Sequence, residues 1–137
     1  MTIGSAKLVL LDTSVWIDFF RKKSPVFEEV DLLIEQNRIC IARLIAAELL
    51  QGAKSTKEFN ILKESPDVFH LLEETADTWN QAANLSRQLR SQGYTIGLGD
   101  CYIATLAHHY RVPIWSHDKH FEIIANHLSI ERYRYMQ

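Results

Sequence analysis

The chain has 137 residues, 47% of them hydrophobic and 23% charged, with a formal net charge of −2. That length fits one domain over residues 1–137 and leaves no room for a second core. The charge excludes a protein that holds nucleic acid by bulk cationic attraction, and apolar runs such as 44–47 fall far short of the roughly 20 residues that cross a membrane.

The opening MTIGSAK has no charged region followed by a long apolar one, so no secretory signal is expected and the cytoplasm is the expected location. From residue 7, KLVLL is a short unbroken apolar run, as in a strand buried on both faces. At Asp12 the pattern changes: Val15, Trp16, Phe19 and Phe20 follow helical spacing, so a strand, a tight turn and a helix succeed one another. Ser24 and Pro25 predict a second helix, with Ser as cap and Pro at its first position, running to about Gln36.

RICIA (38–42) reads as a second strand, and RLIAAELLQG (43–52) as a helix ended by Gly52. Ser55 or Thr56 followed by Glu58 predicts a capped helix that Pro66 stops. VFHLL (68–72) is a third strand candidate. Residues 75–91 form an amphipathic helix with acids at its start and Arg87 and Arg90 near its end, the order the helix dipole favours. A glycine-bearing loop then leads into the helix CYIATLAHHYR, a short strand IWS, a final helix DKHFEIIANH and a terminal β-like run LSIERYRYM. Alternating strands and helices predict an α/β fold of three layers, α/β/α, around a mostly parallel central sheet of four to five strands. Cys40 and Cys101 lack metal-finger spacing and lie in apolar contexts, so both are expected to be reduced core residues.

In an open parallel sheet, ligands bind beyond the carboxyl ends of the strands, where the strand order reverses. Asp12 ends the first strand, Asp118 follows the IWS strand, and Asp100 stands where a loop meets a helix. Glu48 interrupts an apolar helix, where an unpaired buried carboxylate would be costly. Each acid alone is as well explained as a helix cap or a solvated charge. Collected in one cleft, they repel unless a cation holds them, and oxygen ligands without clustered Cys or His favour Mg²⁺ or Mn²⁺. Such a cation can activate water and steady the charge of an in-line displacement.

LLDTSVWID, AAELLQG, LGDCYIATLA and WSHDKHF, in that order, resemble the acidic motifs of PIN-domain ribonucleases, and most closely the VapC-type toxins of toxin–antitoxin pairs. The resemblance runs from about residue 8 to 125. It implies a divalent-metal endoribonuclease cutting single-stranded or loop RNA, such as transfer or ribosomal RNA, and leaving 5′-phosphate and 3′-hydroxyl ends. The family's acids map onto Asp12, Glu48, Asp100 and Asp118 as metal ligands and catalytic groups. Thr13 or Ser14 takes the hydroxyl after the first acid, and Ser116 stands where the family often has Thr. The resemblance also implies a homodimer and an antitoxin that lies across the active-site groove.

Setting the four acids aside leaves 13 acidic against 15 basic residues, a balance of +2 that no longer excludes RNA. Arg21, Lys22, Lys23, Lys54, Lys57 and Lys119 are candidate phosphate contacts, each equally explained as a solvated surface charge. Trp16, Phe19 and Phe20 are expected in the core. Asp18 is expected to pair with Arg21 or Lys22 along its helix. His117 and His120, three apart, read as a half-exposed pair at a helix start rather than as ligands. Ser116, His117 and Asp118 cannot form a hydrolase triad, because adjacent side chains diverge. A phospho-accepting receiver domain is the alternative of another class, but Leu11 fills the place of its second acid and VFHLLEE offers no acceptor Asp. A catalytically silent partner-binding domain of the same fold is the third reading.

Overall fold

The continuous apolar run of residues 7–11 and its counterpart at 38–42 each form a strand whose residues are all buried: β1 (Val9–Leu11) and β2 (Ile39–Ile41). Two shorter strands complete a four-stranded sheet, β3 (His70–Leu71) and β4 (Ile114–Trp115). The structure, a computed structural model, describes residues 7–134. The expectation for the opening MTIGSAK therefore falls almost wholly outside the described residues, as do the last residues of the terminal run.

Every strand pair is parallel, in the order β3-β2-β1-β4. Parallel neighbours demand crossover connections, and the helices that flank the sheet provide them. In chain order these are α1 (Thr13–Phe20), α2 (Val26–Glu35), α3 (Arg43–Gln51), α4 (Thr56–Leu62), α5 (Ser65–Val68), α6 (Thr78–Ser91), α7 (Leu98–Tyr110) and α8 (His120–Ile124). The chain leaves β1 toward β2 on one side and returns to β4 on the other, so the strand order reverses at β1. Register places Leu11 opposite Trp115, and the Asp12 amide donates to the Trp115 carbonyl at 2.9 Å. The carboxyl ends of β1 and β4 thus meet at the reversal, where an open parallel sheet leaves a crevice.

The core fills the space between sheet and helices. Leu10, Ile41, Ile114, Tyr102 and Phe121 are fully buried in it. Cys40 and Cys101 are free and buried, and burial pushes the Cys40 thiol up to about 12. Among the described residues no helix is long and apolar enough to cross a membrane.

Several element ends differ from their sequence signals. Ser55 caps α4 by accepting from the Glu58 amide, as expected. Ser24 instead donates its hydroxyl to Glu28 and caps nothing, because the carboxylate one turn on is the stronger acceptor. Pro66 does not stop a helix but sits in the first turn of α5, where its missing N–H costs nothing. The helix after the glycine loop starts at Leu98, so Gly99 and Asp100 belong to its first turn. The terminal β-like run contributes, among the described residues, an isolated parallel bridge between Arg132 and Ile114 rather than a full strand.

Candidate active site

Asp12 follows β1 directly, and its place at the start of α1 suggests a cap. It makes no side-chain capping bond. Its Oδ2 instead accepts from the Ser116 hydroxyl at 2.8 Å and the Ser14 hydroxyl at 3.3 Å, which turns the carboxylate toward the β4 side of the crevice. Ser116 is buried and works in both directions, since its Oγ also accepts from the Asp118 amide at 2.9 Å. The Ser14 hydroxyl likewise accepts from the His117 amide at 3.1 Å. The two hydroxyls thereby lock the loop after β4 against the turn after β1.

That loop carries the next acid. The Asp118 Oδ1 accepts from the His120 amide at 2.9 Å, a tight local turn that opens α8. The imidazole of His120 lies with Nδ1 at 2.8 Å from the Asp100 Oδ2 and 3.5 Å from the Asp118 Oδ1. One potential ligand atom from each of Asp100, Asp118 and His120 lies within 4.8 Å of the others. Asp100 comes from the first turn of α7, where the helix N-terminus favours a carboxylate.

Burial raises the Asp100 carboxyl above its ordinary range; the His120 hydrogen bond opposes this, and the charges of Asp118 and Asp12 add to it. The His120 imidazole is raised chiefly by its bond to Asp100, against a smaller effect of burial, with further help from the charges of Asp118 and Asp100. Both directions report the same thing, a half-buried pocket with more negative charge than it can solvate.

Glu48 reaches the crevice from α3. It is exposed and does not belong to the tight cluster; its Oε1 accepts from the Thr13 hydroxyl at 2.8 Å. The site is thus two hydrogen-bonded groups, Asp12–Ser116–Asp118–His120–Asp100 and Thr13–Glu48, joined at the Asp12–Thr13 peptide. Ile45, Ala46 and Leu49 of α3 are buried while Ala47 and Glu48 are exposed, so the cost of burying the acid does not arise. Asp12, Thr13, Ser14, Glu48, Asp100, Ser116 and Asp118 all reach this crevice.

The donor set suits a hard divalent cation: carboxylate oxygens dominate, one imidazole is available, and no Cys side chain takes part. Asp12, Asp100 and Asp118 would hold such an ion, with Glu48 placed to reach it by way of the Thr13 side.

Two residues of this site were not signalled as such. His120 read as a half-exposed surface pair with His117, and instead bridges two acids; its position two residues after Asp118, in the same turn, was the available clue. Arg132, far along the sequence, donates from Nη2 to the Ser116 carbonyl at 3.1 Å and lies 3.7 Å from Glu122. It braces the loop that carries Ser116 and Asp118. His117 turns away from the acids: its Nε2 pairs with Asp18 at 2.9 Å. Asp18 also meets Lys23 at 3.8 Å rather than Arg21 or Lys22, because the chain turns at the end of α1 and brings Lys23 back beneath it. Of the three aromatics expected in the core, Trp16 is buried and Phe19 packs against the core, whereas Phe20 is 43% exposed.

A family model for the PIN domain matches residues 9–126. Ribonuclease VapC1 of Methanocaldococcus jannaschii is 32% identical over 118 residues, covering 83% of this chain and 79% of that protein. The VapBC2 complex of Rickettsia felis, solved with a DNA fragment from its promoter, contains a chain of similar fold, with a TM-score of 0.71 at 20% identity over 93% of this chain and 99% of that one. DNA-bound VapBC from Salmonella typhimurium gives a TM-score of 0.70 at 18% identity, covering 94% and 98%.

Proposed function

The chain belongs to the PIN-domain family and is of the VapC type, and from that premise we propose that it is a divalent-metal-dependent endoribonuclease, the toxin of a type II toxin–antitoxin pair. Its substrate is single-stranded or loop RNA of the transfer or ribosomal class, cut in the cytoplasm to 5′-phosphate and 3′-hydroxyl ends. The observation that carries this reading is the convergence of Asp12, Asp100 and Asp118 at the strand reversal, in a pocket that leaves the Asp100 carboxyl raised. The chain's similarity to a named ribonuclease supports the reaction class.

Bound Mg²⁺ or Mn²⁺ supplies Lewis acidity toward the phosphodiester and activation of water. The protein's own part is orientation. Ser116 and Ser14 fix one oxygen of Asp12, and among the described residues the other accepts no hydrogen bond. Ser116 also holds the Asp118 amide, so the two acids keep their spacing as one unit. His120 steadies Asp100 and Asp118 against their mutual repulsion. Thr13 aims Glu48 from the opposite wall, where it can position a water or a substrate hydroxyl. Pre-set groups of this kind spare the reorganisation that free carboxylates would need.

The structural relatives are toxin–antitoxin complexes, which supports a cognate antitoxin partner; its place across this crevice and a homodimeric toxin belong to the proposal, as the family resemblance implies. The test is to induce the wild type and Asp12→Asn in parallel and to sequence RNA ends. New 5′-phosphate ends in the wild type alone are expected; the same ends in Asp12→Asn overturn the assignment.

A further inference from the structure

Beside the acids, α1 lines a cleft of about 230 Å³ with Thr13, Ile17, Phe20 and Arg21, one helical stripe. Thr13 and Glu48, which share a hydrogen bond in the candidate active site, both line it, so the cleft adjoins that site. The facing wall comes from the end of α3 and the start of α4, and includes Lys54 and Glu58. Ile17 and Phe20 remain 38% and 43% exposed, although each would gain by covering its apolar surface.

The charges divide in a useful way. Among the described residues the side chains of Arg21 and Lys54 have no ion pair or hydrogen bond, as is true of Lys22, Lys57 and Lys119, but of these only Arg21 and Lys54 line the cleft, whereas Lys7, Lys23, Arg43 and Arg132 each face a carboxylate. Two free cations beside an exposed aromatic ring fit a nucleotide, whose phosphate needs the charge and whose base needs the ring. Phe20 lies seven residues beyond Thr13, about 10 Å along the helix, so the ring meets a base next to the cleavage point rather than at it.

We propose that this cleft is a nucleotide subsite: it takes one unpaired RNA nucleotide flanking the scissile phosphate, with its base on Phe20 and Ile17 and its phosphate between Arg21 and Lys54. Glu58, half-buried on the wall, gives the subsite a preference. A carboxylate only accepts hydrogen bonds, so it suits guanine, whose N1–H and N2–H₂ stand side by side, and opposes uracil, whose one N–H lies between two carbonyls. Duplex RNA is excluded because its bases are not free to stack on a side chain. This inference rests on the ribonuclease reading for its substrate class.

The test measures binding, so that it does not depend on cleavage. In an Asp12→Asn background, fluorescence anisotropy follows labelled single-stranded RNAs of mixed sequence, with guanine present or replaced throughout by uracil. Phe20→Ala should weaken binding about 10-fold while Phe20→Tyr restores it. Arg21→Ala and Lys54→Ala should each lower the slope of log affinity against log salt by about 0.7. Glu58→Gln should erase the preference for guanine, since an amide both donates and accepts. Unchanged RNA affinity in Phe20→Ala together with unchanged base preference in Glu58→Gln overturns the subsite. Unchanged RNA binding with weakened binding of the cognate antitoxin overturns it as well, and makes the cleft a protein-docking surface. A wild type that cuts no RNA sinks the ribonuclease reading separately, because the binding series is read without cleavage.

Discussion

The two halves of the acidic crevice solve the same problem by different means. On the α7 and β4 side, Asp100 and Asp118 are half-buried, close together and held by an imidazole. On the α3 side, Glu48 is exposed and held by a neutral hydroxyl. In the first half burial, with the neighbouring acids adding to it, raises the Asp100 carboxyl, and His120 opposes this; the second half is open to solvent. By this difference the tight cluster, rather than Glu48, would set the affinity for a cation, and Glu48 would be left to serve positioning.

Asp100→Asn should break that contrast most sharply. Removing a carboxylate from the tight cluster should cut Mn²⁺ affinity, measured by calorimetry, by more than about 100-fold, beyond the cost of losing a supporting partner. The same variant should melt higher than the wild type in metal-free buffer at neutral pH, because the ionised form of a carboxyl with a raised pKa opposes folding. Glu48→Gln should lose activity with a much smaller change in Mn²⁺ affinity and no gain in melting temperature.

The pH dependence of stability follows from the same half. His120 and Asp100 both have pKa values raised by the fold. Their contribution is therefore complete at low pH, below the unfolded values, and is lost as pH rises through the folded ones. Metal-free protein should lose a few degrees of melting temperature between pH 5.5 and 8, and the gain on adding Mn²⁺ should grow over the same window. His120→Gln should flatten both trends in differential scanning fluorimetry; an unchanged slope would rule out the pair as its source.

Arg132→Met tests the brace beneath the tight cluster. Losing the donor to the Ser116 carbonyl should lower activity about 10-fold, as removal of a supporting hydrogen bond does, with Arg132→Lys falling between the two. The smallest effect belongs to the open half: Thr13→Val removes one exposed hydrogen bond and should cost about 1 kcal/mol in kcat/KM.

The sequence carried the fold well where a signal was continuous. The apolar run ending at Asp12 set the first strand, and the switch to helical spacing set the helix after it, since burial on both faces and burial on one leave different periods. It was least informative where a residue's partner lies far along the chain. Asp12, a plausible helix cap by position, makes no cap because Ser116 competes for its oxygen across 104 residues. His120 is half-exposed at a helix start, as its sequence context predicts, but its relation to Asp100 is created only by packing α8 against α7. The spacing of Phe20 places it in the core, yet it lines a cleft and is exposed, because spacing along α1 does not say what packs against the end of the helix.

By itself the sequence determined which side chains could do chemistry: acids at the ends of apolar runs, hydroxyls directly behind them, and an order that matches one family. Only the tertiary structure decided which of these share a pocket and which remain apart. Strand order and register set that outcome, because pairing β1 with β4 brings Asp12 to Ser116, whereas Glu48 arrives on a helix that ends in solvent. Local pattern fixes how each segment folds, but the distance between two charges, and so their repulsion, exists only after the segments have packed.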